Sequence, residues 1–311
     1  MCPRVSVIMS VYNSEKYLED SIKSILNQSF KDFEFIIVND CSNDNSLKII
    51  NKYKENDVRI KLINNSKKIN LANSLNKCLK VAKGKYIARM DADDISIKNR
   101  LEIQYNFMEG NEDIFLCGGS AIVINEYGKK EGKFLKYDSP SKIKRKLLNS
   151  NPLIHPSIFF RNTKDLFYRG EFELSQDYDF YLRILESHRK IINISNLIIM
   201  YRVYKENEDK IKKQRYYFNK AKEFYLQRKK TGQDNYPDFN DKQFILENMH
   251  IDVIRIGIEI KISIKFQDNQ MKEARKEIKR YFNQYGFNKR FVAYYILSFF
   301  PFKLISLFRK F

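Results

Sequence analysis

Over its first 91 residues the chain alternates short apolar runs with stretches of helical periodicity, and that alternation limits the folds open to it. Residues 5–10, 33–39, 59–64 and 86–90 read as strands rich in Val, Ile and Phe. Between them, residues 14–28 carry Leu18, Ile22, Ile25 and Leu26 on one helical face, with Asn13 or Ser14 as cap. Residues 44–53 and 71–81 are also helical, the first capped by Asn43 or Asp44. Strands separated by helices pair in parallel through right-handed crossovers, so the fold class is α/β with a mostly parallel sheet flanked by helices. Ligands of such sheets bind beyond the carboxyl ends of the strands. Asn13, Asp40 and residues 91–94 all fall at those ends.

The last of these loops reads Asp91-Ala92-Asp93-Asp94. Carboxylates this close repel, and each raises the cost of ionising the next. A hard cation such as Mg²⁺ or Mn²⁺ removes that cost, taking one or two carboxylates plus substrate phosphates. The pattern therefore fits a metal–diphosphate site, and it equally fits a solvated acidic turn. No G-x-G-x-x-G follows the first strand and no G-x-x-x-x-G-K-[ST] occurs, so a dinucleotide or P-loop reading lacks its phosphate cradle. Without a glycine nest, a metal held by carboxylates is the natural way to neutralise a diphosphate.

Further along, residues 97–108 read as a helix, 114–124 as a strand, 140–148 as a basic helix and 155–161 as a loop entering a strand. Residues 175–187 form a helix with Gln176, Asp177 and Asp179 in its first turn, and 191–204 are strand-rich. Beyond about residue 205 helical periodicity dominates and charge climbs. The expected division is an α/β domain over 1–205 and a basic helical region over 206–311. The net charge is +19, and residues 201–311 hold 25 Lys and Arg against 13 Asp and Glu, so the basic excess lies mostly in the last third. Such a balance favours nucleic acid, anionic membrane or phosphorylated substrates. The four cysteines are scattered with no C-x-x-C pair, which argues against zinc and a disulfide framework and fits a reducing cytoplasm. The first residues lack the pattern of a signal peptide.

Four segments together resemble the family 2 glycosyltransferases of the GT-A fold. They are Val5-Ser-Val-Ile-Met-Ser-Val-Tyr-Asn13 with Tyr17, Phe35-Ile-Ile-Val-Asn-Asp40-Cys-Ser-Asn-Asp44, Ala82-Lys-Gly-Lys-Tyr-Ile-Ala-Arg89-Met-Asp91-Ala-Asp93-Asp94, and Ser175-Gln-Asp177-Tyr-Asp-Phe-Tyr-Leu-Arg183. The resemblance covers residues 4–204 and is closest to bacterial enzymes that build lipo-oligosaccharide, O-antigen or capsule chains. It implies a UDP-sugar donor, Mn²⁺ or Mg²⁺, and a single displacement that inverts the anomeric centre. It also implies roles. Asp40 would accept from the uracil ring, and Val11, Tyr12 and Asn13 would line the nucleotide pocket. Asp91 and Asp93, either side of Ala92, would serve the ribose and the metal, with Asp93 the direct ligand. Arg89 would sit beside the diphosphate and Asp177 would be the general base. His155, in a His-Pro-Ser, would bind donor or acceptor, or serve structure alone. Asp94 takes no role from the resemblance and reads, from its position alone, as a cap for the helix that follows. Three departures stand out: Gln176 where many relatives have an acid, Tyr204 where they often have His, and Asn70-Leu71 where Gly often follows the Asn.

The helix terminus at Asp177 would keep its carboxylate ionised, or make it an ordinary capping acid. Residues 291–302 are uncharged but too few to span a bilayer, which needs about 20 apolar residues. Aromatic and apolar, with Lys and Arg nearby, they suit an anionic membrane surface or a helix packed on the protein itself. The expected partners are a UDP-sugar and a saccharide or lipid-linked saccharide, at the inner face of the cytoplasmic membrane, with no nucleic acid; a homodimer stays open. A sugar-nucleotide pyrophosphorylase is the alternative enzyme, but residues 10–13 lack its glycine-rich, Arg-containing loop. A nucleic-acid binder would leave Asp40, Asp91, Asp93 and Asp177 without a role.

Overall fold

The computed structural model describes residues 2–136, 138–204, 208–239, 259, 262, 265, 270–285 and 289–299. The chain forms two compact units, Met1–Glu206 with Lys213–Asp241, and Asn207–Lys212 with Lys242–Phe311.

In the first unit, β1 (Val5–Val11), β2 (Phe33–Asn39), β3 (Ile60–Asn64) and β4 (Tyr86–Asp91) alternate with α1 (Glu15–Leu26), α2 (Ser46–Asn56) and α3 (Leu71–Val81). β1, β2 and β4 are almost wholly buried, as continuous apolar runs covered on both faces should be. The face predicted for α1 is the one that packs: Leu18, Ile22 and Ile25 are fully buried. The order continues with β5 (Ile95–Ser96), α4 (Arg100–Glu109), β6 (Ile114–Ile124), β7 (Lys130–Phe134), α5 (Pro140–Leu147), β8 (Phe159–Arg161), α6 (Gln176–Glu186), β9 (Lys190–Arg202) and α7 (Glu208–Thr231).

The sheet runs β3-β2-β1-β4-β8-β6-β9-β5, with β7 paired to β6. β1, β2, β3 and β4 pair in parallel, β8 joins antiparallel to β4 and β6, and β6 pairs parallel with β9. Register sets the site. Ser10 lies opposite Asp91, and Val11 opposite Asn39, so the ends of three strands are level. After Asp91 the chain turns within three residues into β5, which pairs antiparallel with β9. The acidic loop therefore bridges the two halves of the sheet.

Two local expectations change. The helix expected over 97–108 starts at Arg100, because Ile97 N donates to Ile198 O at 3.0 Å and holds that stretch at the sheet edge. β7 is absent from the sequence reading because all five of its residues are exposed, so no alternating apolar pattern marks it.

Inside α4, Arg100 is fully buried and has no carboxylate partner among the described residues. Its guanidinium donates to Arg89 O (2.7 Å) and Ile158 O (3.3 Å), and to Gln104 Oε1 (2.9 Å), while Gln104 Nε2 donates to Ser157 O (2.8 Å). Burial pushes its pKa down to about 10. Arg100 thus ties β4 to the turn that carries His155.

A break in packing follows Glu206, near the rise in charge, but the first unit resumes at Lys213. Tyr217, Phe224 and Phe239 bury themselves around Phe172, so residues 213–239 belong to the first unit. Helix periodicity there serves an aromatic core, which the basic composition conceals. In the second unit, helices span Met271–Tyr285 and Lys289–Leu297, and Phe291 packs with Ile262, Ile278 and Tyr281. Of the apolar segment 291–302, residues 300–302 lie outside the described residues. Among the described residues no helix is long and apolar enough to cross a membrane.

Candidate active site

The loops after β1 and β2 are zipped together before any ligand is considered. Asn13 N donates to Ser42 Oγ (3.1 Å) and Asn43 N donates to Asn13 Oδ1 (3.0 Å). Ser14 N reaches Ser46 Oγ (2.8 Å), and Glu15 N reaches Asp44 Oδ2 (3.0 Å). Asp44 therefore caps α1 from the neighbouring loop, while Ser14, at the cap position, turns its Oγ to Tyr12 O (3.1 Å) instead of to the helix. Asn13, Cys41, Asn70 and Ser175 all adopt positive φ. Such backbone is costly for residues other than glycine, and it gathers where a site over-determines it.

These loops rim a cavity of about 560 Å³. Tyr12, Asn13, Asp40, Asp91, Ala92 and Asp93, six of the residues singled out in the sequence, line it together. Asp40 is almost fully buried, and its Oδ1 accepts from Asn65 Nδ2 and Ile69 N, both at 2.9 Å. Val11 is buried beneath the loop, where its carbonyl accepts from Asp40 N at 2.7 Å. The cavity also receives Tyr17, Lys68, Asn70, Glu173 and Tyr204. Lys68 sits over the Tyr12 ring at 3.7 Å, the one cation among the lining residues. Nothing in a Lys-rich loop marked it out in the sequence.

Asp91, Asp93 and Asp94 each place one carboxylate oxygen within 4.8 Å of the others. Burial, and then the charge of Asp91, pushes the Asp93 carboxyl up; burial with the charges of Asp91 and Asp93 pushes Asp94 well above the usual carboxylate range. Asp94 Oδ2 is buried without a hydrogen-bond partner. An oxygen-only donor set with a repulsive charge excess and an orphaned buried oxygen fits a hard divalent cation.

Asp94 does not cap a helix. β5 follows it, and its Oδ1 accepts from Arg202 N at 2.7 Å. Arg202 also donates from Nε to Asp93 O and from Nη1 to Asn125 O, each at 2.8 Å, and its guanidinium lies 4.1 Å over Tyr17. The end of β9 is thereby bolted to the acidic loop. Two residues later, the Tyr204 hydroxyl donates to Asp93 Oδ2 at 2.8 Å, so the residue standing where relatives often have His touches the expected metal ligand.

Arg89 is buried, paired with Asp91, and does not line the cavity. Its charge nonetheless draws down the carboxyls of Asp93, Asp94 and Asp177 against the effect of burial. It lies between the acidic loop and the second cluster, at the start of α6.

There, two acids of one helical turn have different surroundings. Asp179 is buried in ion pairs with Arg183 (2.9 Å) and Arg169 (3.6 Å). Asp177 has no such pair among the described residues, and its Oδ2 accepts from Asn151 Nδ2 at 2.7 Å. The helix terminus was expected to hold Asp177 ionised; burial is the larger influence and raises its pKa, opposed by Asn151, the backbone N–H of Tyr178 and Arg89. Asn151 was missed because a lone Asn in a loop carries no sequence signal. His155 is bonded through Nε2 to the Tyr168 hydroxyl at 2.8 Å, away from the cavity lining. Burial and the neighbouring Arg89 hold it well below the usual histidine range.

The model of the family described as glycosyl transferase family 2 matches residues 6–167. An uncharacterized glycosyltransferase of Methanocaldococcus jannaschii is 40% identical over 223 residues, covering 69% of this chain and 77% of that protein. The UDP-Glc:alpha-D-GlcNAc-diphosphoundecaprenol beta-1,3-glucosyltransferase WfgD of Escherichia coli is 33% identical over 201 residues, covering 64% of this chain and 77% of its own. Among solved structures, the mannosyltransferase PcManGT of Pyrobaculum calidifontis, in complex with GDP-Man and Mn²⁺, aligns with a TM-score of 0.57. It shares 13% identity over 96% of this chain and 84% of that one, a likeness of fold alone.

Proposed function

Because the chain belongs to glycosyl transferase family 2 and has the GT-A fold, we propose that it is an inverting, cation-dependent transferase. It moves a hexose or N-acetylhexosamine from a UDP-sugar to a hydroxyl of a lipid-linked saccharide. The reaction belongs to surface polysaccharide synthesis at the inner face of the cytoplasmic membrane. The observation that carries this reading is the acidic cluster, two of whose members, Asp91 and Asp93, line the cavity that also holds Asp40 and the Tyr12-Asn13 loop. The names of WfgD, with its UDP-Glc donor and diphosphoundecaprenol acceptor, and of PcManGT with Mn²⁺, support the donor, acceptor and cation.

In this reading Asp40 accepts from the uracil, Tyr12 and Asn13 enclose the nucleotide, and Lys68 lies within reach of its phosphates. Asp93 and Asp91 hold Mn²⁺ or Mg²⁺, which supplies Lewis-acid stabilisation of the leaving diphosphate. Arg89 fixes Asp91 from beneath and sets the field between the two clusters. Asp177 takes the proton of the acceptor hydroxyl as that oxygen bonds to the anomeric carbon and the bond to UDP breaks. A half-buried carboxylate with raised pKa is a stronger base than one in water, and Asn151 aims it.

A donor screen tests the assignment. With Mn²⁺ or Mg²⁺, at least one UDP-hexose or UDP-N-acetylhexosamine is expected to release UDP in the presence of acceptor, and chelation to stop it. Failure of every nucleotide sugar to bind or turn over would refute the reading. The base can be tested separately. Activity requires ionised Asp177, so kcat falls as pH drops through its raised pKa. Asn151→Ala removes a bond that favours the carboxylate, so the pKa rises further and the acid limb moves to higher pH. Loss of aim should also lower the plateau kcat about tenfold. An unmoved limb in the variant's pH–rate profile would mean that another group titrates.

A further inference from the structure

We propose that the face formed by β7 and α5 docks on an anionic lipid bilayer and delivers a membrane-held acceptor to Asp177. This deepens the reading above by naming a surface of the first unit as the membrane contact. Between residues 126 and 148 the chain carries eight Lys and Arg against three Asp and Glu. That 23-residue stretch therefore holds +5 of a net charge of +19, several times its share by length. The same stretch holds Tyr127 (82% exposed), Leu135 (73%), Phe134 and Leu148, four of the eleven strongly exposed large apolar side chains among the described residues.

The local structure explains why these groups face outward. Among the described residues β7 pairs on one side only, with β6, and all five of its residues are exposed. α5 turns Ile143 and Leu147 into the core, which leaves Lys142, Lys144 and Arg145 outside. Those three, with Lys133, make no ion pair among the described residues. Lys146 differs: it is paired with Asp138. Exposed apolar side chains set among lysines suit the headgroup–acyl boundary, where the apolar parts insert and the ammonium groups meet lipid phosphates. A nucleic acid or soluble polyanion would satisfy the charges and leave Phe134 and Leu135 unexplained.

The face also adjoins the proposed base. The Tyr178 hydroxyl in α6 donates to Leu147 O at the end of α5. Four residues on, Asn151 holds Asp177. On the other side, the Phe134 ring lies 6.3 Å from that of Tyr201, whose hydroxyl burial and the charges of Asp91 and Asp94 push up to about 12. An acceptor anchored in a bilayer against β7 and α5 thus meets the site from its Asp177 side, with the nucleotide cavity beyond Arg89.

The test is co-sedimentation of the full chain with vesicles of phosphatidylcholine alone or mixed with phosphatidylglycerol, without donor. It is thus independent of whether glycosyl transfer is correct. The wild type is expected to partition onto the mixed vesicles and not the neutral ones. Lys142→Glu with Lys144→Glu and Arg145→Glu should lower the partition coefficient at least about tenfold. Phe134→Ser with Leu135→Ser should lower it several-fold, and keep it low at reduced salt. Both variants should keep the wild-type melting temperature and UDP–Mn²⁺ affinity. Equal partition onto both vesicles, no partition of the wild type, or wild-type partition by either variant overturns the proposal. So does loss confined to the charge variant, which would indicate polyanion attraction alone.

Discussion

Asp177→Asn is expected to lower kcat about a thousandfold while leaving the affinity for UDP and Mn²⁺ within about twofold of wild type. Such a loss is about 4 kcal/mol of barrier, the range removed when a general base is deleted. The substitution is nearly isosteric. Asn151 Nδ2 still finds an oxygen to donate to, so the local fold should persist. Asp177 is not among the residues that line the cavity with Asp40 and Asp93. Single-turnover kinetics with saturating donor, beside calorimetric titration of UDP, separate the two quantities. Near-normal turnover in the variant would place the base elsewhere. The variant's residual rate should also lose the acid limb, since no carboxyl remains to titrate.

Asp93→Ala should cost at least about a hundredfold in cation-dependent donor binding, read by titrating UDP with and without Mn²⁺. Without metal the protein should melt no lower than wild type. The bond that Arg202 makes to residue 93 goes to its main-chain oxygen, which alanine retains. Deleting one of three crowded carboxylates also relieves the repulsion that raises Asp94. If the variant binds UDP as before, with the same gain from Mn²⁺, then Asp93 is not the ligand. If it melts far below wild type, the acidic loop is chiefly a structural brace.

Much of this arrangement was open to reading in the sequence, for identifiable reasons. Parallel strands covered on both faces must be continuous apolar runs, and their ends must be polar where the backbone leaves the sheet. Asn13, Asp40 and Asp91 could therefore be assigned to one edge from spacing alone, and the cavity confirms that they meet there. The resemblance added Asp177, which no local pattern distinguishes from Asp179 two residues later. Only the tertiary partners do so, Asn151 for one and Arg183 with Arg169 for the other. Arg89 was expected beside the diphosphate. A strand residue followed two positions on by an acid on the same face pairs with that acid, and so it lies buried. β7 and the aromatic core around Phe172 stayed hidden for opposite reasons. The strand is exposed along its length, and the core packs onto Phe172 aromatic residues 45 or more positions away from it.

The bolt between Arg202 and the acidic loop joins positions 108 residues apart in sequence. During synthesis the first four strands and their crossovers leave the ribosome long before that arginine does, and chains of this size organise from the N-terminal side. The loops after β1 and β2 can close on each other early, since Asn13 and Ser42 are only 29 residues apart. Asp93 and Asp94 cannot be fixed until β9 arrives. A nascent chain thus has a shaped cleft before its acidic loop is fixed, and the last strand of the sheet in chain order is the one that sets that loop in place.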